Sequence, residues 1–374
     1  TTEIYTLSLH DALPISSFLT DATSVFAPMA GSPTPRQQGA EPGPGHHPAN
    51  LRGALPAPIA AALDAFRPDL PFGVAFSGGA DSTALLLACV RRWPGQVHAV
   101  HIHHGLQPAA DLFVSHCQSL CSAMSVPLVV RHVDATARNG VSPEDAARRA
   151  RYAAFDQIAS AEWSHLAIKT IALGQHLDDQ AETVLLALLR GSGLPGLAAM
   201  PAVWTRGHMT FHRPFLQVTG AQLRQWLAQE GIAWVDDPSN DDHRFTRNRL
   251  RQLLVPGIDA SFPHFRQTVA RGARHAAQAV RLLDELAGQD LAVVGDPPSI
   301  HALQCYSADR QANVLRFWLK RSHNQMPAEA QLAQLQKQIA ACTTRGHRLN
   351  LKVGGGRILR DGERLRWVPD PVGA

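Results

Sequence analysis

The sequence predicts an α/β protein with a doubly wound, mainly parallel sheet, followed by a helical second domain and a small α+β C-terminal domain. Short apolar runs alternate with helix-length segments between positions 55 and 192. Arginine-rich helical segments replace them from about 205, and a helix-then-hairpin pattern begins near 298. Strands separated by helices pair in parallel through right-handed crossovers, so we expect ligands at the strand C-termini.

The individual elements follow from periodicity. Continuous apolar runs of about four to eight residues are typical of buried strands, and longer segments with one apolar face are typical of helices. In the first part the pattern predicts helices at 57–66, 82–92, 109–124, 143–162 and 178–190 and strands at 72–76, 96–103, 127–133 and 166–174. Further on it predicts helices at 219–231, 243–254, 262–289, 307–322 and 327–341 and a hairpin-like end at 347–368.

These elements divide the 374 residues into four parts. Residues 1–50 begin with a segment of foreign composition and continue with a stretch rich in Pro, Gly and His, so we interpret them as a disordered or artefactual leader. Residues 51–205 form the expected α/β catalytic domain, 206–295 an arginine-rich helical domain and 296–374 a C-terminal domain. The chain is long enough for each domain to bury its own core.

The composition is that of an ordinary globular protein. Hydrophobic residues make up 45% of the chain and charged residues 18%, which excludes wholesale disorder, collagen and coiled coil. No apolar run approaches the ~18 residues of a membrane span, so we expect no membrane insertion. The five cysteines form no CxxC pair and are too few for a disulfide scaffold, which favours a reducing, cytoplasmic compartment.

The charge is mildly basic, at +4 with a pI near 9.0. Of the 35 basic residues 31 are Arg, the side chain best suited to bidentate phosphate contacts. This bias suits RNA binding, and a GC-rich genome explains it equally well.

A glycine-rich loop between a buried strand and a helix is the strongest chemical signal. It reads Ser77-Gly78-Gly79-Ala80-Asp81-Ser82. The two glycines allow the backbone to approach an anion, and the helix N-terminus presents free N–H groups, so the loop predicts a phosphate site. Ser77 and Ser82 can hydrogen-bond phosphate oxygens, and Asp81 can hold Mg²⁺ beside them. The alternative is an ordinary βα turn with an Asp or Ser cap.

A second candidate cluster is acidic. Asp178, Asp179 and Glu182 fall in the first turn of a helix that follows a strand, and Asp179 and Glu182 share a face at i, i+3. Such a pair can clamp an ammonium ion, whereas the alternative is that these acids only complement the helix dipole. Arg148, on an earlier helix, is expected to stabilise phosphate charge, and the alternative there is a solvated basic face.

Further motifs narrow the family. They are His103-His104-Gly105-Leu106 with Asp111, and the segments 147–155, 176–183, 189–194, 213–216, 237–240 and 247–251. The loop resembles the SGGxDS pattern of the PP-loop ATP pyrophosphatases, which cleave ATP to AMP and pyrophosphate. The full order and spacing, over about 70 to 370, resemble the tRNA(Ile)-lysidine synthetase family, since other PP-loop enzymes share only the first motif.

The resemblance implies a PP-loop, Rossmann-like catalytic domain that uses ATP and Mg²⁺. It implies adenylation of the C2 oxygen of the wobble cytidine in an isoleucine tRNA with a CAU anticodon. The side-chain amine of L-lysine then displaces AMP, which gives lysidine and changes decoding from AUG to AUA. The implied site residues are Asp81, Asp179, Glu182 and Arg148 for catalysis, Asp179 and Glu182 for lysine, the loop 77–82 with His104 and Gly105 for the nucleotide, and Asp81 for the metal.

An RNA surface is expected between 244 and 274, where seven arginines and one aspartate are interleaved with Phe245, Phe262 and Phe265. Phosphates supply affinity and unpaired bases stack on rings. Phenylalanines at helical spacing are more often core residues, however, so we assign the arginines and not the rings to RNA.

The arginines of this segment divide into two groups. Arg247 and Arg249 match the family motif RNR, and we expect them to reach the active site. We expect Arg266, Arg271 and Arg274 to be peripheral tRNA contacts.

The sequence admits more than one interpretation of the basic segment 345–366, of the enzyme class and of the oligomeric state. The seven basic residues in 345–366 suit either a grip on tRNA or a solvated hairpin. The alternative enzyme is a PP-loop tRNA thiolase, although cytidine-thiolating members carry paired CxxC ligands that this sequence lacks. An inactive tRNA-binding homologue is the alternative of another class, which the intact loop and acidic motif disfavour. A homodimer is also left open.

Overall fold

The strand β1 (Phe72–Ala75) lies in the middle of a six-stranded sheet with the order β3-β2-β1-β4-β6-β5. All neighbours pair in parallel except β5 and β6, which are antiparallel. The computed structural model describes residues 53–103, 110–134, 143–237, 242–344 and 346–370. The described chain divides into two compact units, one ending at Ala273 and the other beginning at Arg274.

The first unit contains the whole parallel sheet. Its strands are β1, β2 (Val97–His103), β3 (Leu128–His132), β4 (Thr170–Ala172), β5 (Val203–Arg206) and β6 (Met209–His212). The helices between them are α1 (Ala57–Ala65), α2 (Ala80–Arg92), α3 (Ala110–Ala123), α4 (Pro143–Ser160), α5 (Leu177–Leu189), α6 (Leu194–Leu197) and α7 (Gly220–Gln229), with a 3₁₀ turn at Ser164–Leu166.

Side chains of β1 alternate between two cores, one on each face of the sheet. Phe72 and Val74 pack with α1, α2 and α7. On the other face a Cβ added to Gly73 would lie 2.6 Å from the Trp163 ring, which belongs with Phe155 and Phe211 to a second core. Burial on both faces explains why these short strands appear as continuous apolar runs.

The predicted doubly wound α/β fold is confirmed, and the structure adds one feature to it. From about 205 the sequence predicts helices in place of strands. The structure instead has the hairpin β5-β6 around Gly207, which extends the sheet. Gly207 has φ +56°, which suits a tight two-residue turn. Each strand has only four residues, too few to produce a clear periodic signal.

The first unit closes with helices that pack against α5. They are α8 (Thr246–Arg249), a π-helical turn (Leu250–Leu254), α9 (Val255–Ser261) and the start of α10 (Phe265–Val294). Leu250, Val255 and Phe265 form one buried cluster with Ala181 and Leu186 of α5. This packing fixes the arginine-rich segment beside the acidic helix.

The second unit joins helices to a small antiparallel sheet. It contains α11 (Ile300–Gln304), α12 (Ala308–His323), α13 (Glu329–Ala341), β7 (Asn350–Val353), β8 (Gly356–Asp361) and β9 (Arg364–Pro369). The strands form the meander β7-β8-β9, where a hairpin-like end was predicted. Trp318 and Leu335 lie in the core of this unit with Val353 and Ile358.

Three further predictions concern the leader, the domain boundaries and membrane insertion. The leader at 1–50 lies outside the described residues, and the domain boundaries near 205 and 295 stay predictions. No helix in the described part of the chain is both long and apolar enough to cross a membrane.

Candidate active site

The loop after β1 is held by a compact set of serine contacts. The Ser82 hydroxyl accepts a hydrogen bond from the Ser77 backbone N–H at 3.1 Å and donates to the Gly79 carbonyl at 3.0 Å. The Ser77 and Ser82 hydroxyls lie 3.0 Å apart. Gly79 is the N-cap of α2 and lacks a side-chain cap, so the first N–H groups of that helix are available to an anion.

Two glycines allow the backbone to approach closely here. Gly78 has φ +87°, and a Cβ on it would lie 3.1 Å from Cys117 Sγ. A Cβ on Gly174, in the loop after β4, would lie 3.1 to 3.2 Å from the backbone of Asp81 and Ser82. Gly174 thus brings the acidic helix α5 against the N-terminus of α2, a role that the sequence analysis did not assign.

His176 connects the loop to the acidic helix. Its Nε2 lies 3.4 Å from Asp81 Oδ2, and its Nδ1 lies 3.4 Å from Asp178 Oδ2. Burial by itself lowers the pKa of His176, but the carboxylates of Asp178, Asp81 and Asp179 outweigh it and raise the pKa to about 10. The Asp178 backbone N–H also donates to His176 Nδ1 at 3.2 Å, so the ring caps the start of α5. The Asp179 carboxylate also accepts from the His176 backbone N–H at 3.0 Å.

The predicted pair Asp179 and Glu182 lies together, and two arginines face it. Arg251 Nε donates to Glu182 Oε1 at 2.7 Å and Arg251 Nη2 donates to Oε2 at 3.0 Å. Arg251 Nη2 also reaches Asp179 Oδ1 at 3.5 Å, and Arg247 Nε lies 3.7 Å from Glu182 Oε2. Glu182 is only 3% exposed, and burial raises its pKa although both arginines lower it.

Asp178 has different partners from Asp179 and Glu182. Its carboxylate accepts from the Gly220 backbone N–H at 2.7 Å and from the Arg266 guanidinium. Burial raises the pKa of Asp178, but His176, the Gly220 N–H and Arg266 lower it well below its usual range. Arg266 also pairs with Asp259 at 2.6 Å. Arg266 therefore lies against the acidic cluster rather than at the expected periphery, because α10 begins next to α5.

Arg148 is half-buried on α4 and lies near a second arginine. Burial and the positive charge of Arg148 lower the pKa of Arg213 to about 10. Arg213 donates to Gln175 Oε1 at 3.1 Å and to the Pro201 carbonyl at 2.8 Å, and it stacks 3.9 Å over the Trp204 ring. Two neighbouring guanidinium groups can serve an anionic ligand.

The remaining predicted arginines lie in different surroundings. Arg249 donates to the His243 carbonyl at 3.0 Å and to Thr246 Oγ1 at 3.2 Å, so it braces the start of α8. Arg271 and Arg274 are exposed on α10. His104 and Gly105 lie outside the described residues.

The expectation that the three phenylalanines between 244 and 274 are core residues is wrong for two of them. Phe265 is 6% exposed and belongs to the core, but Phe245 is 44% exposed and Phe262 is 67% exposed. Phe262 is the C-cap of α9 with φ −132°, and His264 has φ +68°. The backbone break between them separates Phe262 from the buried stripe that starts at Phe265.

Asp81 suits the predicted metal. Its Oδ1 is buried, accepts no hydrogen bond and lies 4.0 Å from Arg224 Nη1, so it can serve as an oxygen ligand on the phosphate-binding loop. The described residues contain no group of three or more His, Cys, Asp or Glu side chains placed to hold a metal by themselves. Mg²⁺ is usually held by one or two carboxylates together with substrate phosphates and water, so a single carboxylate oxygen fits this ion.

Arg251, Arg213, His176 and Gly174 belong to the site, and no role was predicted for them from the sequence. Arg251 and Arg213 lie in motifs that resemble the family, 247–251 and 213–216. Only the structure shows that Glu182 is buried and that Arg251 is its cation.

Comparisons with known proteins identify the two domains and the family. Residues 59–258 match the family model described as the PP-loop domain, and residues 299–366 match the TilS substrate binding domain. A tRNA(Ile)-lysidine synthase of Polaromonas naphthalenivorans is 58% identical over 296 residues, which are 79% of this chain and 89% of the relative. The one from Escherichia coli O157:H7 is 38% identical over 80% of this chain and 69% of the relative.

The fold and the loop define a PP-loop, ATP-using enzyme of the ligase type. The relative from Burkholderia pseudomallei is 38% identical over 83% of this chain, which spans 64% of that protein's length. The chain belongs to the tRNA(Ile)-lysidine synthase family, as its motifs predicted.

The fold is also found among solved structures. One is the U34-tRNA thiolase NcsA from Methanococcus maripaludis with its [4Fe-4S] cluster, with a TM-score of 0.50 and 13% identity over 58% of this chain and 76% of that chain. At this identity the likeness concerns the fold alone.

Proposed function

We propose that this chain ligates L-lysine to C2 of the wobble cytidine in isoleucine tRNA with a CAU anticodon, using ATP. The product, lysidine, reads AUA instead of AUG. The observation that carries the proposal is the contact between Asp81 of the phosphate loop and the acidic turn of α5 through His176, at 3.4 Å from Nε2 to Asp81 Oδ2. A nucleotide bound at the loop would have its phosphates beside carboxylates suited to an amine.

The first step activates the base. The C2 oxygen of the cytidine attacks the α-phosphorus of ATP, the bond to the β-phosphate oxygen breaks, and pyrophosphate leaves. The loop N–H groups and the hydroxyls of Ser77 and Ser82 orient the phosphates. Mg²⁺ bound at Asp81 would neutralise phosphate charge. Arg148 and Arg213 supply further positive charge for the negative charge that develops on phosphate oxygens.

The second step forms the carbon–nitrogen bond. The side-chain nitrogen of lysine attacks C2, and AMP leaves with the former C2 oxygen. Because an ammonium is not a nucleophile, lysine must first give up a proton. Asp179 and Glu182 can hold the ammonium. Glu182 can accept its proton, because burial raises the pKa of this carboxyl group and makes it a stronger base than an ordinary carboxylate.

Lysine has to compete with Arg251 for these carboxylates. Asp179 and Glu182 together carry two negative charges when ionised, and Arg247 and Arg251 already balance them. A third cation within about 4 Å would meet like-charge repulsion in a poorly solvated site. We therefore propose that the lysine ammonium replaces the Arg251 guanidinium. The phosphate of the adenylated base offers Arg251 another partner, so lysine would enter after adenylation.

Five arginines are proposed to hold tRNA. Arg271 and Arg274 are exposed on α10, and Arg249 braces the start of α8. Arg247 and Arg266 contact carboxylates of the acidic turn. Phosphate contacts from such residues set affinity and orientation without reading bases. Residues 346–366 of the second unit add six basic side chains for the same purpose. We place the enzyme in the cytoplasm, where tRNA, ATP and lysine are available together.

ATP–pyrophosphate exchange tests the activation step directly. Labelled pyrophosphate should enter ATP only when isoleucine tRNA with a CAU anticodon is present, because the base is the adenylate acceptor. Lysine should not be required. Exchange that is independent of tRNA would overturn the proposal, and so would its absence with tRNA.

A further inference from the structure

Two phenylalanine rings of the first unit face solvent beside the candidate active site. Phe245 is 44% exposed and Phe262 is 67% exposed, whereas seven other phenylalanines of this unit are nearly inaccessible. The buried ones are Phe66, Phe72, Phe76, Phe155, Phe211, Phe215 and Phe265. A single exposed apolar side chain needs no explanation, so the surroundings of this aromatic pair (Phe245 and Phe262) decide what it can do.

Both rings stand on backbone that is fixed against the acidic helix. Phe245 is the N-cap of α8, and its carbonyl accepts from the Arg249 N–H at 3.1 Å. The Phe262 N–H donates to the Ile258 carbonyl at 2.8 Å, and the Phe262 carbonyl accepts from the Phe265 N–H at 3.0 Å. Ile258 and Phe265 pack in the cluster that contains Ala181 of α5. The rings are thus presented by a rigid support.

Each ring neighbours an arginine that touches the acidic turn. Phe245 precedes Arg247 by two residues, and Arg247 Nε lies 3.7 Å from Glu182 Oε2. Phe262 precedes Arg266 by four residues, and Arg266 pairs with Asp178. The aromatic pair therefore lies, in two separate chain segments, within two and four residues of arginines that contact these carboxylates.

The charge around the rings identifies the occupant. Seven arginines and one aspartate lie between 244 and 274. Four of the arginines pair with carboxylates, namely Arg244, Arg247, Arg251 and Arg266. Arg249 contacts carbonyl and hydroxyl oxygens instead and Arg271 is exposed, so these two side chains can meet an anion. Of the partners that combine negative charge with flat apolar faces, RNA with unpaired bases fits both features, because phosphates meet arginines while bases stack on rings. In a base-paired duplex the faces of the bases are covered by their stacked neighbours, so they cannot stack on exposed protein rings.

Modification of an RNA base explains why aromatic rings would be exposed beside the site. A base that enters a pocket must leave the stack of its neighbours, which costs free energy. Stacking of those neighbours on protein rings offsets that cost. We infer that Phe245 and Phe262 bind unpaired nucleotides adjacent to the modified base, an inference that rests on the proposed function for the identity of the RNA.

Phe262 is the sharper probe because it is the more exposed ring. Phe262→Leu keeps an apolar side chain without a ring, and Phe262→Trp keeps the ring. Fluorescence anisotropy would measure the Kd for an anticodon stem–loop and for a matching duplex without a loop. The Leu variant should bind the stem–loop about 5- to 150-fold more weakly, the equivalent of ~1–3 kcal/mol for one stacked base. The Trp variant should bind it as the wild type does, and duplex binding should not change.

Leu189→Ala is the matched control, because Leu189 is also 67% exposed but lies at the far end of α5. It should leave both Kd values unchanged. Equal affinity of the Leu variant and the wild type for the stem–loop would overturn the inference. Equal losses on stem–loop and duplex, or a smaller oligomer in the Leu variant by light scattering, would also overturn it. Because binding needs neither ATP nor lysine, failure here is distinguishable from failure of the lysidine reaction.

Discussion

Arg251 and Glu182, 69 residues apart in the chain, form a two-point ion pair, with Nε–Oε1 at 2.7 Å and Nη2–Oε2 at 3.0 Å. The carboxylate is almost fully buried, whereas the guanidinium is 40% exposed. The buried partner cannot lose its cation without cost, but the exposed partner can leave toward water or a phosphate. This asymmetry is the structural basis for an exchange of Arg251 with the lysine ammonium.

Removal of Arg251 should open the lysine pocket. We expect Arg251→Ala to bind lysine more tightly in the absence of ATP and tRNA, by up to about tenfold, or ~1.4 kcal/mol. Isothermal titration calorimetry with lysine measures this. Arg249→Ala is the control, because Arg249 contacts carbonyls and a hydroxyl rather than the carboxylates. Weaker lysine binding by Arg251→Ala would mean that Arg251 helps to hold the substrate.

The acidic pair should act in the second step alone. Asp179→Asn and Glu182→Gln should lower lysidine formation by ~10²–10⁴, the usual contribution of a positioned proton acceptor. The adenylated tRNA should still accumulate, since its formation depends on the loop. Quenched-flow separation of intermediate and product distinguishes the two steps. The control Glu162→Gln removes an exposed carboxylate paired with Arg131. Normal lysine incorporation by Glu182→Gln would exclude the pair from the site.

Asp81 should be required for activation and dispensable for tRNA binding. Asp81→Ala removes the carboxylate whose buried Oδ1 accepts no hydrogen bond, so ATP–pyrophosphate exchange should disappear at all Mg²⁺ concentrations. The Kd for tRNA should stay within about twofold, because phosphate contacts are made by separate arginines. Asp64→Ala, at an exposed carboxylate on α1, is the control. A collapse of tRNA affinity in Asp81→Ala would contradict this division of roles.

Replacement of the exposed Arg271 and replacement of Arg266 should have different effects on tRNA binding and on stability. Replacing Arg271 by Ala should weaken tRNA binding and reduce the slope of log K against log salt by about 0.7 to 0.9. Replacing Arg266 should in addition lower the free energy of unfolding by about 1–3 kcal/mol, because Asp178 loses a largely buried partner. Urea denaturation and salt titration of the two variants measure both quantities. An unchanged slope in Arg271→Ala would assign that residue to a merely solvated face.

Much of the fold was predictable because it is encoded locally. Strand β1 is a continuous apolar run, β2 combines apolar residues with three histidines, and the glycine loop marks the turn between β1 and α2. The short hairpin β5-β6 was missed because four-residue strands give little periodicity. The exposed position of Phe262 was missed because the break at Pro263 and His264 falls inside a segment that otherwise has helical spacing.

The sequence suggests members of the candidate site but not the contacts between them. Asp81, Asp179 and Glu182 were identified because each lies in a compact motif. The pairs around the acidic turn join residues that are distant in the chain, such as Arg251 with Glu182 at 69 residues and Arg266 with Asp178 at 88 residues. Such pairs depend on how α8, α9 and α10 pack against α5, and no local pattern specifies that packing.

The most direct test of the central claim is mass spectrometry of a nuclease digest of isoleucine tRNA transcript after incubation with the enzyme, ATP and lysine. The account predicts that the fragment containing the wobble cytidine gains the mass of one lysine less one water, and only when both ATP and lysine are present. A transcript with uridine at the wobble position should stay unmodified. An unchanged cytidine fragment in an active, ATP-consuming preparation would contradict the account.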